Sequence, residues 1–427
     1  MGIYSGKKIL VLAGKPIGSE DIVKYARESG AYVIVTDNLP IENSPAKKIA
    51  DEHWDISTAE VEKLCEEIKK NKVDAVFTGI HEFNIWKTLD VCEILNYPFY
   101  ATRDQLQNTS VKTEYKQLFR DFGIPVVEDF TITQNDWETQ NQEIKYPVLL
   151  KPVDGSGGYG ISICYNEEEF KTGFEKALES SKVKKVLVEK FVKAKEVTIF
   201  YIIQNGKIKL SAMADRHTEN GTKYTIPLPV LYIFPSIHLE SFQENFNEKF
   251  IQAFESLGLK NGMLFIQAFA DDGKIIPYDI GFRLTGTQEY HILEALCGYN
   301  PLKMLVDYAI TGEMGKEVAH LADPKLGGKH AFIITFLIKP CKVGEFIGLE
   351  EVKKMDGVIK VIKNHQLGDE IPESATGTLN QVILRVLGAA DSRSEMKELI
   401  KKIIGKIEVR SDQGNSVILP TINIDEL

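Results

Sequence analysis

The stretch that decides the fold is residues 146–164, which read YPVLLKPVDGSGGYGISIC. Two apolar runs, at 148–150 and 161–163, are short enough to be strands, and glycines stand in the connection between them. Glycine leaves backbone N–H groups free to contact anionic oxygens. Lys151 follows the first run and adds a positive charge beside the glycines. This order predicts a β-hairpin that binds phosphate groups.

Two other phosphate-binding motifs do not fit these glycines. A dinucleotide-binding G-x-G-x-x-G opens a helix after one strand, and a P-loop ends in G-K-[ST]. Neither context is present here. Taken alone, the segment is also consistent with a surface hairpin whose lysine is solvated. The remainder of the chain has to decide between these two interpretations.

Length and composition are those of an ordinary globular protein. The 427 residues, of which 43% are hydrophobic and 26% charged, predict about three domains. A net charge of -10 without a polybasic block argues against nucleic-acid binding. No apolar stretch is long enough to span a membrane and no signal-peptide pattern is present, so a cytoplasmic location is expected. The five cysteines lack C-x-x-C spacing and indicate reduced thiols rather than a zinc site or disulfides.

The amino-terminal part alternates apolar runs with helical segments, which is typical of a parallel sheet with crossover helices. Ligands of such sheets bind at the carboxyl ends of the strands, where residues 14–18, Asp37 and the turn 79–82 are predicted to lie. Glu82 in that turn is a candidate for substrate binding. For Asp37 and His81 a purely local hydrogen-bonding role stays open.

The order of elements predicts three parts and a fold that combines α/β with α+β. Residues 1–111 form the parallel α/β domain, and residues 112–320 form a central domain with a subdomain at about 125–195 that carries the hairpin. Residues 321–427 form a smaller α+β domain. Within the central domain, the polar and proline-marked segment 215–236 is predicted to be a loop that closes on a ligand.

Four features in a fixed order resemble the ATP-grasp superfamily. They are Lys112 in SVKTEYK, Lys151 in the hairpin, Glu189 and Glu196 in VEKFVKAKE, and Gln267 with Asp279 in FIQAFADDGKIIPYDIGFR. The resemblance covers nearly the whole chain, because the amino-terminal sheet is similar to the domain before the grasp fold in carboxylate–amine ligases, biotin carboxylase and the large chain of carbamoyl phosphate synthase. It implies a pre-ATP-grasp domain, an ATP-grasp domain with a lid and a small carboxyl-terminal domain.

The resemblance implies ATP as the cofactor and assigns parts of it to individual residues. Lys112 and Lys151 match lysines that contact the α- and β-phosphates, with Lys116 as an alternative to Lys112. Glu189 matches the carboxylate of the adenine slot, and Glu196 matches the glutamate on the ribose hydroxyls. The hairpin is expected to close over the β- and γ-phosphates. The full set for ATP is Lys112, Lys151, Ser156, Gly157, Gly158, Glu189, Lys190, Val192 and Glu196.

Gln267 and Asp279 stand on either side of a DDG turn and are predicted to pair across a hairpin. Two oxygen ligands suit Mg²⁺ (or Mn²⁺), which completes its shell with phosphate oxygens and water. The family usually reads E-x-N-x-R where this chain reads D-I-G-F-R, so Gly281 removes a ligand for a second metal ion. Arg283 matches the family's arginine and is the predicted catalytic residue, contacting the transferring phosphate. A surface ion pair is the alternative.

Substrate contacts are predicted at two further places. Arg216 and His217 lie in the segment taken as a loop, and Arg216 is the candidate for a carboxylate or phosphate of the acceptor. The alternative for Arg216 is a loop arginine without a ligand. The turn after Arg283 contains the small residues Thr285, Gly286 and Thr287, whose backbone N–H groups are expected to face a carboxylate.

The resemblance implies an ATP-dependent ligase of the EC 6.3 type. ATP phosphorylates a small-molecule carboxylate, and an amine then displaces phosphate to form an amide. The relatives are frequently homodimers, so a homodimer is an expectation here as well. One alternative is an enzyme like biotin carboxylase, although the tail carries no biotinyl motif. The other is a catalytically inactive ATP-binding regulatory module, because of Asp279 and Gly281.

Overall fold

The computed structural model describes residues 2–15, 17–133, 144–153, 160–219, 221 and 226–426. Within these ranges no helix is long and apolar enough to cross a membrane. Three residues predicted to contact ATP, Ser156, Gly157 and Gly158, lie outside the described residues.

The amino-terminal part is a four-stranded parallel sheet, as predicted, in the order β3-β2-β1-β4. Its strands are β1 (Lys8–Leu12), β2 (Tyr32–Thr36), β3 (Glu52–Trp54) and β4 (Ala75–Thr78). The helices that follow in this part are α1 (Ser19–Glu28), α2 (Val61–Asn71), α3 (Glu82–Leu95), α4 (Arg103–Ser110) and α5 (Lys112–Asp121). Apolar side chains cover both faces of the sheet, which explains its continuous apolar runs.

Asp37, at the end of β2, has the local role that the sequence left open. Its carboxylate accepts hydrogen bonds from the Gly14 N–H and the Ser44 hydroxyl, both at 2.8 Å. The buried Lys47 ammonium lies 3.0 Å away. These contacts hold the loop after β1 against the loop after β2.

The predicted hairpin belongs to a small antiparallel sheet with the order β5-β8-β6-β7. Its elements are β5 (Asp129–Thr133), β6 (Val148–Pro152), β7 (Ser162–Cys164), α6 (Glu167–Ser180) and β8 (Lys185–Lys190). Val148 pairs with Cys164 and Leu150 with Ser162, so the two apolar runs form the hairpin as predicted. Helix α6 packs on this sheet over a core of its own. We call this unit the lid.

An eight-stranded sheet forms the centre of the molecule, in the order β13-β12-β9-β10-β11-β14-β18-β16. Its strands are β9 (Lys195–Gln204), β10 (Lys207–Glu219), β11 (Leu228–Phe234), β12 (Gly262–Asp271), β13 (Lys274–Gly281), β14 (His330–Leu337), β16 (Val358–Lys363) and β18 (Val382–Ala390). The remaining strands form a small sheet of β15 (Cys341–Ile347), β17 (Glu370–Ile371) and β19 (Glu408–Ser411). The remaining helices are α7 (Leu239–Asn245), α8 (Asn247–Ser256), α9 (Tyr290–Cys297), α10 (Pro301–Thr311), α11 (Leu349–Val352) and α12 (Arg393–Ile404).

The central sheet contains a segment that was predicted to be a loop, and it crosses a predicted domain boundary. The segment 215–236 is not mainly a loop, because β10 extends to Glu219 and β11 begins at Leu228. Its polar residues are compatible with a strand because neighbouring strands satisfy its backbone on both sides. The sheet also continues across residue 321, since β14, β16 and β18 join strands of the predicted central domain. The boundaries at 112 and 321 stay predictions.

Candidate active site

Two buried lysines lie one turn apart on α5, which begins at Lys112. Residues four positions apart share a helix face, so Lys112 and Lys116 point the same way. The Lys112 ammonium is 3.5 Å from the Val153 carbonyl oxygen at the end of β6. Lys116 is fully buried and forms an ion pair with Glu189 of β8. Helix α5 thus places two lysine ammonium groups in contact with the lid.

Glu189 is held by lysines from two directions. The Lys151 ammonium on β6 lies 2.7 Å from one carboxylate oxygen, and Lys116 contacts the other. Burial raises the pKa of Glu189, but the charges of Lys151 and Lys116 outweigh burial and bring the pKa below its ordinary value. Lys116 also lies 3.3 Å from Asp129 of β5. The sequence indicated Lys151 and Glu189 separately, but it did not indicate that they contact each other.

Lys112 lies among charged groups from four segments. Burial and the neighbouring Lys151 charge lower the pKa of Lys112, whereas Asp279, Glu82 and Glu189 raise it. Each of these residues was predicted as a site residue, and the charge of each acts on the Lys112 ammonium. Because the Lys151 charge lowers the pKa of Lys112, an anion such as phosphate between the two lysines would stabilise the charged form of Lys112.

Glu196 of β9 and Arg216 of β10 lie side by side and form an ion pair. The Tyr278 hydroxyl donates a 2.5 Å hydrogen bond to the same glutamate oxygen, and Arg216 Nε donates to the Tyr232 hydroxyl at 3.4 Å. The sequence assigned Glu196 to the ribose and Arg216 to the acceptor. In the structure these two residues form one cluster.

His217 does not join this cluster. Successive residues of a strand point to opposite faces of the sheet, so His217 faces away from Arg216. Burial lowers the pKa of His217, while the Asp215 carboxylate on its own face opposes that shift. Arg216 and His217, both predicted as substrate contacts in a loop, therefore lie on opposite faces of the sheet, because the chain forms a strand there.

Gln267 lies directly opposite Asp279 in the pairing of β12 with β13, as predicted. Both side chains are half-buried, and Thr198 of β9 lies on the other side of Gln267. Within the described ranges no group of three or more His, Cys, Asp or Glu side chains could hold a metal ion. The residues present therefore fit Mg²⁺ only if nucleotide phosphates and water supply the other oxygens, which is the usual coordination of this ion.

Phe265 occupies the space beside Gly281. A Cβ atom at position 281 would lie 2.5 Å from Cε1 of the Phe265 ring, so the chain has no room there for an asparagine side chain. The same ring stacks on the Arg283 guanidinium, with 4.8 Å between its centroid and the guanidinium carbon. Arg283 Nη1 also donates to the Leu284 carbonyl at 3.0 Å. Gly281 thus leaves room for the Phe265 ring, which stacks on the guanidinium of Arg283.

The turn after Arg283 is organised around Glu289, which sequence reasoning missed. The hydroxyls of Thr285 and Thr287 both donate to its carboxylate, the latter at 2.5 Å. Burial raises the pKa of Glu289. The Thr287 N–H donates to the Thr285 hydroxyl at 3.3 Å rather than pointing freely at a ligand. Gly286 faces the turn 79–82, since a Cβ there would lie 3.2 Å from Ile80.

Glu82, at the start of α3, connects the amino-terminal domain to the site. Burial raises the pKa of Glu82; Arg283 opposes that shift, and Asp279 adds to it. The carboxylate therefore lies near the predicted catalytic and metal-binding residues. The neighbouring Phe83 ring contacts the lid through Lys182, whose ammonium is 5.4 Å from the ring centroid. The predicted adenine residues Lys190 and Val192 follow Glu189 at the end of β8.

The chain is similar to known proteins both in sequence and in structure. The family model described as D-ala D-ala ligase C-terminus matches residues 118–277. The formate-dependent phosphoribosylglycinamide formyltransferase of Ignicoccus hospitalis is 24% identical over 231 residues, which are 53% of this chain and 53% of that protein. The chain therefore spans about half the length of this curated relative.

Solved structures extend the similarity over the whole fold. The L-amino acid ligase from Bacillus licheniformis superposes with a TM-score of 0.76 at 16% identity, covering 95% of this chain and 99% of that one. The biotin carboxylase domain of Hydrogenobacter thermophilus 2-oxoglutarate carboxylase, solved with MgADP, ADP and bicarbonate, gives 0.74 at 18% identity and covers 96% and 91%. The chain therefore has the ATP-grasp fold, and its residues 118–277 match the family model of D-ala D-ala ligases.

Proposed function

We propose that this chain is an ATP-dependent ligase that joins a small-molecule carboxylate to an amine through an acyl phosphate, releasing ADP and phosphate. The observation that carries the proposal is the position of the Lys151 ammonium. It lies 2.7 Å from the Glu189 carboxylate of the lid and 3.4 Å from the carbonyl oxygen of Tyr278, the residue before Asp279. A lysine predicted to contact the phosphates thus lies between the residues predicted for adenine and for the metal.

Each of these residues has a physical role in such a reaction. Lys112 and Lys151 stabilise the negative charge of the phosphates, and the lid excludes water while the phosphoryl group moves. Gln267 and Asp279 would hold Mg²⁺, which neutralises charge on the nucleotide. Arg283 presents a planar group with several donors, and Phe265 keeps that group in one orientation. No covalent nucleophile is needed.

The names of similar proteins support a carboxylate substrate. One relative is named for its dependence on formate, one solved structure is a ligase of L-amino acids, and another contains bicarbonate beside MgADP. Formate, amino acids and bicarbonate all offer a carboxylate oxygen for phosphorylation. These names also support ATP with Mg²⁺ as the cofactors.

The test is release of ADP and phosphate from ATP with pairs drawn from a panel of carboxylates and amines. Release that needs both partners, together with an amide product, supports the ligase. Release of AMP and pyrophosphate would instead show adenylation and contradict the acyl phosphate.

A second candidate is a regulatory module that binds ATP without turning it over. The position of Phe265 beside Gly281 favours it, because the ligand expected there for a second metal ion cannot be present. Calorimetry distinguishes the two functions: ATP binding without ADP release in any mixture of the panel supports the module.

A further inference from the structure

Arg385, in the middle of β18, is a buried cation whose Nε and Nη1 have no hydrogen-bond partner in the part of the chain that the structure describes. Its side chain is almost fully buried at 4% exposure. Thr335 lies directly opposite it on β14 and is completely buried. The Thr335 hydroxyl also lacks a partner in the described part of the chain. Two adjacent strands therefore direct unsatisfied polar groups to one place.

This place lies on the face of the central sheet that carries the nucleotide candidates. Residues paired across strands share a face, and the pairs run from Glu196 to Arg216, from Arg216 to Tyr232 and from Tyr232 to Ile333. Thr335 is two positions beyond Ile333 on the same strand and so lies on the same face. Arg385 pairs with Thr335 and belongs to this face as well.

The turn after Arg283 leads toward the same strands. Helix α9, which begins at Tyr290, packs against β16 and β18. Its residues Ile292 and Leu293 share a core with Tyr232 and Leu387, on the face of Arg385. The segment that follows the predicted catalytic arginine is thus adjacent to the strand of Arg385.

Three other buried cations among the described residues have carboxylate partners. Lys47 pairs with Asp37, and both Lys116 and Lys151 pair with Glu189. Burial lowers the pKa of Arg385, and the neighbour that opposes the shift is Tyr232 rather than a carboxylate. A buried guanidinium without an anion is costly, so its retention calls for a ligand.

We propose that Arg385 and Thr335 bind a carboxylate group of the substrate. A guanidinium and a hydroxyl together supply the donors that the two oxygens of a carboxylate accept. They also supply one positive charge, which matches a carboxylate, whereas a phosphate dianion pairs with more than one cation. That the bound carboxylate belongs to a substrate rests on the proposed function.

The experiment measures binding to the full chain without ATP, by thermal unfolding with sodium formate, acetate, glycine, L-alanine and succinate. Sodium phosphate and sodium chloride at equal ionic strength are the comparison salts. We expect at least one carboxylate to raise the Tm in a saturable way, because a ligand that binds the folded state stabilises it. Arg385→Met should abolish this rise, Arg385→Lys should weaken the affinity about tenfold or more, and Thr335→Val should weaken it less.

A second measurement shows whether Arg385→Met acts only through the fold. In a buffer without carboxylates, this variant should unfold at the same urea concentration as the wild type or at a higher one, because it removes an unpaired buried charge. A Tm rise that persists in Arg385→Met, a response to phosphate alone, or no response to any carboxylate would overturn the inference. So would strong destabilisation of Arg385→Met in every buffer, which would assign the arginine a structural role. Because ATP turnover is not measured, failure of the ligase proposal would leave these results unchanged.

Discussion

Lys116 of α5 and Glu189 of β8 form an ion pair in which both side chains are almost completely buried. The pair joins a helix before the lid to a strand of the lid. Lys151 pairs with the other oxygen of the same carboxylate. If Lys151 turns toward a phosphate, Lys116 still neutralises Glu189. The buried carboxylate therefore keeps a partner with and without nucleotide.

Removing Lys116 should destabilise the fold. Lys116→Met leaves one oxygen of Glu189 and the Asp129 carboxylate without their buried cation, and breaking such a pair costs about 3–5 kcal/mol. Urea unfolding measures the loss. Lys171→Met is the matched control, since it removes an exposed lysine and should change stability by less than about 1 kcal/mol. Equal effects of the two substitutions would show that the buried pair is not important.

Stability should fall at acid pH partly through Glu189. Its pKa in the folded chain is below the ordinary value of 4.5, so the carboxylate stabilises the fold above that pH and loses this contribution as the pH falls through the folded pKa. Urea unfolding from about pH 6 to pH 3 should show a decline that is shallower in Glu189→Gln. An identical decline in both proteins would contradict the direction of the shift.

Lys151→Ala should weaken ATP binding and abolish turnover. Among the described residues of β6, Lys151 alone carries a charge, and its ammonium contacts Glu189 and the Tyr278 carbonyl. The resemblance to ATP-grasp proteins implies that this ammonium contacts the phosphates of ATP. Calorimetry with ATP and Mg²⁺ measures the affinity, with Lys171→Ala as the surface control. Circular dichroism checks that the variant is folded. Unchanged affinity would remove Lys151 from the site.

Substitutions at the two paired positions should reduce metal-dependent turnover to different extents. Asp279→Asn removes the one carboxylate of the pair, whereas Gln267→Glu keeps an oxygen ligand and adds charge. We expect Asp279→Asn to lose far more turnover and to bind Mn²⁺ with ADP more weakly, as measured by electron paramagnetic resonance. Full activity in EDTA would contradict a metal at this place.

Arg283→Lys should lower turnover by roughly a hundredfold while ATP binding stays nearly unchanged, since a point charge cannot replace the planar fork. Phe265 stacks on this group, so Phe265→Leu should give a smaller loss of the same kind. With an ¹⁸O-labelled carboxylate, the wild type should transfer label to phosphate, and Arg283→Lys should suppress the transfer. Weaker ATP binding with unchanged transfer would assign Arg283 to the nucleotide instead.

Much of the fold and part of the site could be predicted because they depend on local patterns. The apolar runs around Lys151 form a hairpin, and Gln267 pairs with Asp279 across a tight turn. Each depends on residues close together in the chain. The prediction of a loop at 215–236 was wrong for the opposite reason. The strands in this segment pair with strands that are far away in sequence.

The sequence by itself determined the order of the elements and the residue types available for ATP and metal, since periodicity and turn residues act over short distances. The tertiary structure alone decided which charges are paired. Lys116 meets Glu189 because β8 folds back beside α5, and Phe265 excludes a side chain at position 281 because β12 lies beside β13. Arg385 was not predicted, because it differs from a surface arginine only in being buried without a carboxylate partner among the described residues.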